Sequence, residues 1–82
     1  MEHNTLTLLY KIVGPSGKYG TACVWAVLVD GVGNRFVWMT NEKALGLRLM
    51  KDEESHPVAY KRYEDLPGGD VRISNLRVEP CD

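Results

Sequence analysis

The chain has 82 residues, 44 % of them hydrophobic, and its 10 Lys and Arg against 11 Asp and Glu leave a formal charge of −1 at neutral pH. This length allows one small domain, and the apolar content excludes a disordered tail. The near-neutral charge argues against a constitutive, strongly basic nucleic-acid binder, while local basic patches remain open.

The N-terminal segment, MEHNTLTLLYK, lacks the basic start and the continuous apolar run of a secretory signal peptide. The longest apolar run, residues 22–29, is too short to cross a bilayer as a helix. Cys23 lies inside this run and Cys81 next to the C-terminus, so we expect reduced thiols and no disulfide. These features predict a cytoplasmic protein without a membrane partner.

Two strands are predicted before residue 31. Residues 5–13 alternate in hydrophobicity, and the face that we expect to point inward carries Leu6, Leu8, Tyr10 and Ile12. The Gly/Pro cluster at 14–20 ends this strand. Residues 21–30 are apolar on both faces, as in a central strand buried on two sides. This favours a core position for Trp25, while the sequence leaves open which of Trp25 and Trp38 is exposed.

The sequence DGVGN at 30–34 predicts a hairpin turn, with residues 35–40 as the returning strand. A short helix is predicted to begin near Asn41, with Thr40 or Asn41 as its cap. Gly46 weakens this prediction, and residues 45–50 also alternate as a strand would.

Two further strands are predicted over 56–65 and 71–80, separated by the turn LPGGD. In the last strand the apolar phase changes between Ile73 and Leu76, which predicts a bulge near Ser74–Asn75. Five strands with a helix between the third and fourth predict a mainly β, single domain over 1–82. We expect a small OB-like barrel, with a curved antiparallel sheet carrying one helix as the alternative.

The stretch GPSGKYGT, residues 14–21, resembles a phosphate-binding loop only superficially. The P-loop spacing would place its first glycine at position 12, which is Ile12, and Tyr19 follows the lysine where Ser or Thr is needed. A strand follows instead of a helix whose N-terminus could face the phosphates. The stretch therefore predicts a connection between two strands.

No motif in the sequence predicts catalysis or a bound cofactor. His3, His56, Cys23 and Cys81 lack the paired spacing of metal ligands, and His56 is expected in an exposed loop. No nucleophile has a recognisable base near it. We therefore expect a non-enzymatic protein with no cofactor and no metal.

Two sets of side chains are candidates for partner contacts. Single-stranded nucleic acid is held by aromatic and basic side chains, and the candidates for this role are Lys18, Tyr19, Arg35, Lys61, Arg62 and Tyr63. A phosphate-mimicking acidic surface is the other interpretation, and its candidates are Asp52, Glu53, Glu54, Glu64 and Asp65.

The segment from Gly17 to Val78 resembles the OB-like β-domain at the C-terminal end of phage and prophage DNA-metabolism proteins of primase or helicase type. The likeness lies in KYGTACVWAVLVDGVGNRFVWMT, residues 18–40, and in YKRYEDLPGGDVRISNLRV, residues 60–78. Tyr63 stands where that family has a histidine, and Asn75 stands where it has an arginine.

This resemblance implies a small phage or mobile-element protein in the cytoplasm of a host cell. Such a protein is expected to bind, and to inhibit or modulate, a nucleic-acid-processing or defence protein such as a CRISPR nuclease complex, as an anti-CRISPR protein does. The alternative is an OB-type module for single-stranded DNA or RNA. A homodimer that pairs exposed strands is a third possibility.

Overall fold

The computed structural model describes residues 1–16, 20–42, 45–46, 48, 50–51 and 53–79. All five predicted strands are confirmed. Their bounds are β1 (Glu2–Ser16), β2 (Thr21–Val29), β3 (Arg35–Thr40), β4 (Ser55–Asp65) and β5 (Val71–Val78). β1 extends beyond the predicted range at both ends.

The strands form a closed barrel in the order β1-β2-β3-β5-β4. Neighbouring strands are antiparallel except for β3 and β5, which run parallel. β1 closes the barrel, because its residues 2–7 pair with β4 and its residues 7–16 pair with β2. The closed sheet confirms the expected barrel over an open curved sheet, and closure removes the unpaired edges of a short chain.

The core is built from side chains that alternate inward along the strands. Phe36 and Tyr60 make its central aromatic contact, with ring centroids 5.4 Å apart. The buried cluster comprises Leu6, Leu8, Ala26, Leu28, Phe36, Trp38, Met50, Val58, Tyr60, Val71 and Ile73. This set identifies the inner face of every strand, and by alternation it also identifies the outer one.

A bulge at Leu9 changes the phase of β1. Leu8 pairs with Leu28 while Tyr10 pairs with Val27, so β1 carries one extra residue at this point. The prediction that Tyr10 and Ile12 share the face of Leu8 is therefore wrong. Both lie on the outer face, 42 % and 55 % exposed, and the extra residue turns Lys11 inward instead.

The predicted bulge in the last strand is confirmed. Between the pairs Ala59–Arg77 and Lys61–Ser74, β5 advances by three residues while β4 advances by two. Asn75 has a φ of 54°, a left-handed conformation that asparagine tolerates better than most residues. The bulge restores the inward phase, because Leu76 and Val78 pack against the core.

Among the described residues between β3 and β4, the predicted helix is not seen beyond a single turn. The described residues here form one helical turn, in which the Gly46 N–H donates to the Glu42 carbonyl at 2.9 Å, while residues 43, 44, 47 and 49 lie outside the described part. A single turn fixes several residues for little hydrogen bonding, and glycine weakens it further. In the described part of the chain, no helix has the length and apolar character needed to cross a membrane.

Gly46 is buried because its backbone lies directly against β2. A Cβ added there would stand 2.6 Å from the Val24 Cβ and 2.9 Å from the Thr40 Cγ2. Gly46→Ala should therefore lower the free energy of unfolding by about 1–3 kcal/mol through overpacking. Gly14→Ala, whose added Cβ meets nothing within 4 Å, is the matched control in urea unfolding. Equal stability of the two variants would contradict this packing.

The predicted β2–β3 turn is confirmed, and the Asp30 carboxylate organises it. Its Oδ2 accepts a hydrogen bond from the Asn34 side-chain amide at 2.9 Å. Its Oδ1 accepts two more, from the Asn34 and Val32 backbone N–H groups at 2.9 and 3.0 Å. These hydrogen bonds hold the pKa of the Asp30 carboxyl below its ordinary value of 3.8, and the bond from the Asn34 side chain contributes most.

A carboxyl group whose pKa is lowered by folding stabilises the fold at pH values above its ordinary pKa. This stabilisation is lost as the pH falls through the folded-state pKa. Asp30→Asn cannot titrate at this position. We therefore expect its unfolding free energy to fall less than that of the wild type between neutral pH and about pH 3. Urea unfolding of both proteins across this pH range measures the difference. If the two unfolding free energies fall equally with pH, the turn carboxylate contributes nothing to the pH dependence of stability.

Candidate functional site

The outer surface of the barrel carries an apolar and aromatic patch. Strand register aligns Tyr10, Val27 and Val37 with Arg72 in one row, and Ile12, Trp25 and Met39 in the next. A third bulge, at Tyr63, leaves that residue without a direct partner on β5. We call this set the aromatic face: Tyr10, Ile12, Trp25, Val27, Val37, Met39, Tyr63 and Arg72.

Arg72 links the aromatic rings of this face. Its guanidinium carbon lies 4.8 Å from the Tyr63 ring centroid and 6.0 Å from that of Trp25. Its Nη1 also donates to the Glu64 Oε1 at 3.4 Å. A guanidinium over an aromatic face is attracted by the ring quadrupole, so Arg72 orients both rings while half-buried itself.

The two tryptophans lie in different settings. Trp25 is half-buried on the outer face, whereas Trp38 is 6 % exposed inside the barrel. Tyr63 is 63 % exposed. The core position favoured for Trp25 is wrong, because its side chain lies on the outer side of β2 and is only half-buried. Cys23 and Val27 on the same side are nevertheless buried, 3 % and 7 % exposed.

Four of the candidate nucleic-acid contacts lie among the described residues, and of these Tyr63 belongs to the aromatic face. Lys18 and Tyr19 lie outside the described residues. Lys61 is exposed on β4, paired with Ser74 two residues beyond Arg72 on β5. Arg35 is exposed at the start of β3. Arg62 is bound instead to Glu2, whose Oε2 lies 2.8 Å from the Arg62 Nε and raises the pKa of the guanidinium.

The acidic candidates do not form one surface. Glu53 and Glu54 precede β4, whereas Glu64 and Asp65 end it. Along an 11-residue strand the two pairs lie about 30 Å apart. Asp52 lies outside the described residues. The structure therefore places two small acidic groups at opposite ends of β4.

A second feature, absent from the predictions, is an open cleft of about 490 Å³ at one mouth of the barrel. We call it the mouth cleft. Its lining residues are Lys11, Arg48, Met50, Lys51, Glu54, His56 and Val78. The signal in the sequence is the Leu8–Leu9 doublet, which breaks the alternation of β1 just before Lys11.

Within the mouth cleft, Glu54 and His56 form a hydrogen-bonded pair. The Lys51 backbone N–H also donates to the Glu54 Oε2 at 3.2 Å. The bond from His56, and after it the bond from Lys51, lower the pKa of the Glu54 carboxyl. His56 is half-buried in β4, not in the exposed loop that was expected.

Neither histidines nor cysteines gather into a metal centre in the described ranges, where no group of three His, Cys, Asp or Glu side chains stands close enough to hold an ion. The Cys23 side chain is buried in β2, only 3 % exposed. Cys81 lies outside the described residues.

Comparison of this chain with protein-family models, with curated proteins and with solved structures finds no match in any of the three.

The different settings of the two tryptophans can be measured by acrylamide quenching of fluorescence. Trp38→Phe retains only the half-buried Trp25 and should be quenched readily, whereas Trp25→Phe retains only the buried Trp38 and should resist quenching. Equal quenching constants, or the reverse order, would contradict the placement of Trp25 on the aromatic face.

Proposed function

We propose that this protein is a non-enzymatic binding module that holds single-stranded nucleic acid on its aromatic face. The observation that carries the proposal is the Arg72 guanidinium lying over both Tyr63 and Trp25 on an exposed sheet surface. Unpaired bases stack on aromatic rings and on guanidinium planes without regard to sequence. Tyr10, 42 % exposed on the same face, extends the surface available to bases.

The position of this face in the barrel supports the same function. OB-type modules, which are five-stranded Greek-key barrels, bind oligonucleotides on strands 2 and 3 and on the loops after strands 1 and 4. Here Trp25 and Met39 lie on β2 and β3, and Tyr63 lies near the end of β4 that leads into the β4–β5 loop. The resemblance to phage DNA-metabolism domains points to the same class of ligand.

The charge near the face predicts a modest electrostatic contribution. Arg72 lies on the face, Lys61 lies beside it on β4, and Arg35 is exposed at the start of β3. With about three phosphates neutralised, the logarithm of the binding constant should fall against the logarithm of salt concentration with a slope of about −2. Base stacking then supplies the larger share, at about 1–3 kcal/mol per base.

A protein partner is the second candidate, favoured by the aliphatic part of the same face. Ile12 is 55 % exposed, and Val37 and Met39 lie between it and Arg72. Aromatic residues, Met and Arg are enriched at the centres of protein interfaces, where Lys and Glu are depleted. The partner class is the nucleic-acid-processing or defence protein that the resemblance implies. The separated carboxylates favour docking through the aromatic face over phosphate mimicry.

Fluorescence anisotropy of a labelled oligothymidylate, titrated with protein at several salt concentrations, tests the nucleic-acid proposal. Tyr63→Ala should weaken binding about tenfold or more because one stacking ring is lost. Tyr63→Phe keeps the ring and should bind like the wild type. Arg72→Gln should weaken binding and make the salt slope shallower by about 0.7.

Arg77→Gln provides the matched control, because Arg77 is exposed near the far end of β5, outside the aromatic face. It changes the net charge by the same amount as Arg72→Gln. If Arg72→Gln and Arg77→Gln lose the same affinity for the oligonucleotide, net charge explains the effect and the stacking role of Arg72 is overturned. No binding at low salt with micromolar protein would leave the protein partner as the better explanation of the aromatic face.

A further inference from the structure

We propose that Glu64 makes the aromatic face selective for guanine, by accepting hydrogen bonds from the edge of a base that stacks beside it. This inference rests on the proposed binding of single-stranded nucleic acid, and it adds a base preference to that surface. Stacking alone does not choose between bases, because every base has a π-face. A preference therefore needs a hydrogen-bonding side chain next to the stacking rings.

The bulge at Tyr63 brings a carboxylate to the aromatic face. Glu64 pairs directly with Arg72, while Tyr63 is the extra residue of β4 just before this pair. Residues directly opposite each other in an antiparallel pair share one face of the sheet, so Glu64 lies on the same side as Arg72. Without the bulge, Glu64 would lie opposite Val71, a core residue, on the inner side of the barrel.

Arg72 joins this carboxylate to both aromatic rings. Its guanidinium carbon lies 4.8 Å from the Tyr63 ring centroid and 6.0 Å from that of Trp25, and its Nη1 lies 3.4 Å from the Glu64 Oε1. The last distance is long for a charge-assisted hydrogen bond, which is normally about 2.7–2.9 Å. A carboxylate has about four lone-pair positions, so this one bond leaves capacity for a ligand.

The carboxylate and the nearest ring are both accessible to a strand. The Glu64 side chain is 48 % exposed, and Tyr63 is the most exposed aromatic residue of the aromatic face. A base that stacks on this group therefore brings its edge within reach of Glu64.

The chemistry of a carboxylate determines which base it selects. An ionised carboxylate only accepts hydrogen bonds. Guanine carries two neighbouring donors on its Watson–Crick edge, the ring N1–H and the exocyclic N2 amino group. Adenine and cytosine carry one amino group on that edge, and thymine and uracil carry one ring N–H. Guanine alone can therefore donate from two adjacent nitrogens to the two oxygens of Glu64.

The charge of Glu64 also has an unfavourable effect on the proposed ligand. It repels the phosphates that Arg72 and Lys61 attract, so it weakens a face that binds by stacking and charge alone. A bidentate contact to a base offsets this repulsion, and it does so only for the base that makes the contact. Selectivity for guanine and a weaker affinity for other bases are then two consequences of one side chain.

Fluorescence anisotropy with short labelled oligothymidylates of equal length tests this selectivity. One strand carries a single guanine in the middle, a second carries hypoxanthine there, and a third is thymine throughout. Hypoxanthine keeps the fused rings and the N1–H of guanine but lacks the N2 amino group. We expect the guanine strand to bind about tenfold more tightly than the hypoxanthine strand, because one hydrogen bond to a charged acceptor is lost.

Glu64→Gln should bring the ratio of these two affinities close to one, because an amide has a single acceptor oxygen and cannot pair with both donors. Its affinity for the all-thymine strand should equal or exceed that of the wild type, because a charge that repels phosphate is removed. Asp65→Asn is the matched control. It removes the same charge at the next residue, which lies opposite Val71, and should keep the guanine preference.

A preference for guanine that survives unchanged in Glu64→Gln overturns the role of Glu64, and so does a preference that is lost equally in Asp65→Asn. If Glu64 only holds Arg72 in place, Glu64→Gln weakens all three strands by the same factor. Equal binding of the guanine and hypoxanthine strands by the wild type overturns the selectivity and leaves the stacking function standing. This comparison needs no variant, and urea unfolding establishes that each variant is folded. If no strand binds at low salt, the proposed function fails, and the selectivity fails with it.

Discussion

Closure of the barrel depends on one strand, β1, which pairs with β4 through its first residues and with β2 through the rest. The bulge at Leu9 lies just after this change of partner. There the Leu8 N–H donates to the Glu54 carbonyl and the Glu53 N–H donates to the Leu8 carbonyl, which ties β1 to the segment before β4. A bulge bends a strand and increases its twist, and a 15-residue strand needs such a bend to follow a small barrel.

The same bulge sets the chemistry on both sides of β1. It sends Tyr10 and Ile12 outward, where they join Trp25 on the aromatic face, and it sends Lys11 inward to the mouth cleft. Without the extra residue every side chain after Leu8 would change sides, because strand side chains alternate with a period of two. The composition of the aromatic face and of the mouth cleft therefore depends on one local irregularity.

A domain of this size has a small core, and the side chains that it leaves outside carry information about binding. Tyr63 is 63 % exposed although aromatic rings contribute strongly when buried. Arg72, Trp25 and Tyr63 instead form an ordered group on the surface. Apolar patches on protein surfaces commonly mark interaction sites, and the position of Arg72 between the two rings supports the proposed binding of nucleic-acid bases.

The sequence by itself determined the five strands, the Asp30 turn and the bulge at Asn75, because alternation, turn residues and a visible change of apolar phase are local properties. It also identified Tyr63 and Lys61 as exposed candidates. Only the tertiary structure decided which side of β2 faces solvent, where the phase of β1 changes, and that Arg72 meets Trp25 and Tyr63. These features depend on the pairing of distant segments. The sequence alone does not show whether another layer covers an apolar residue.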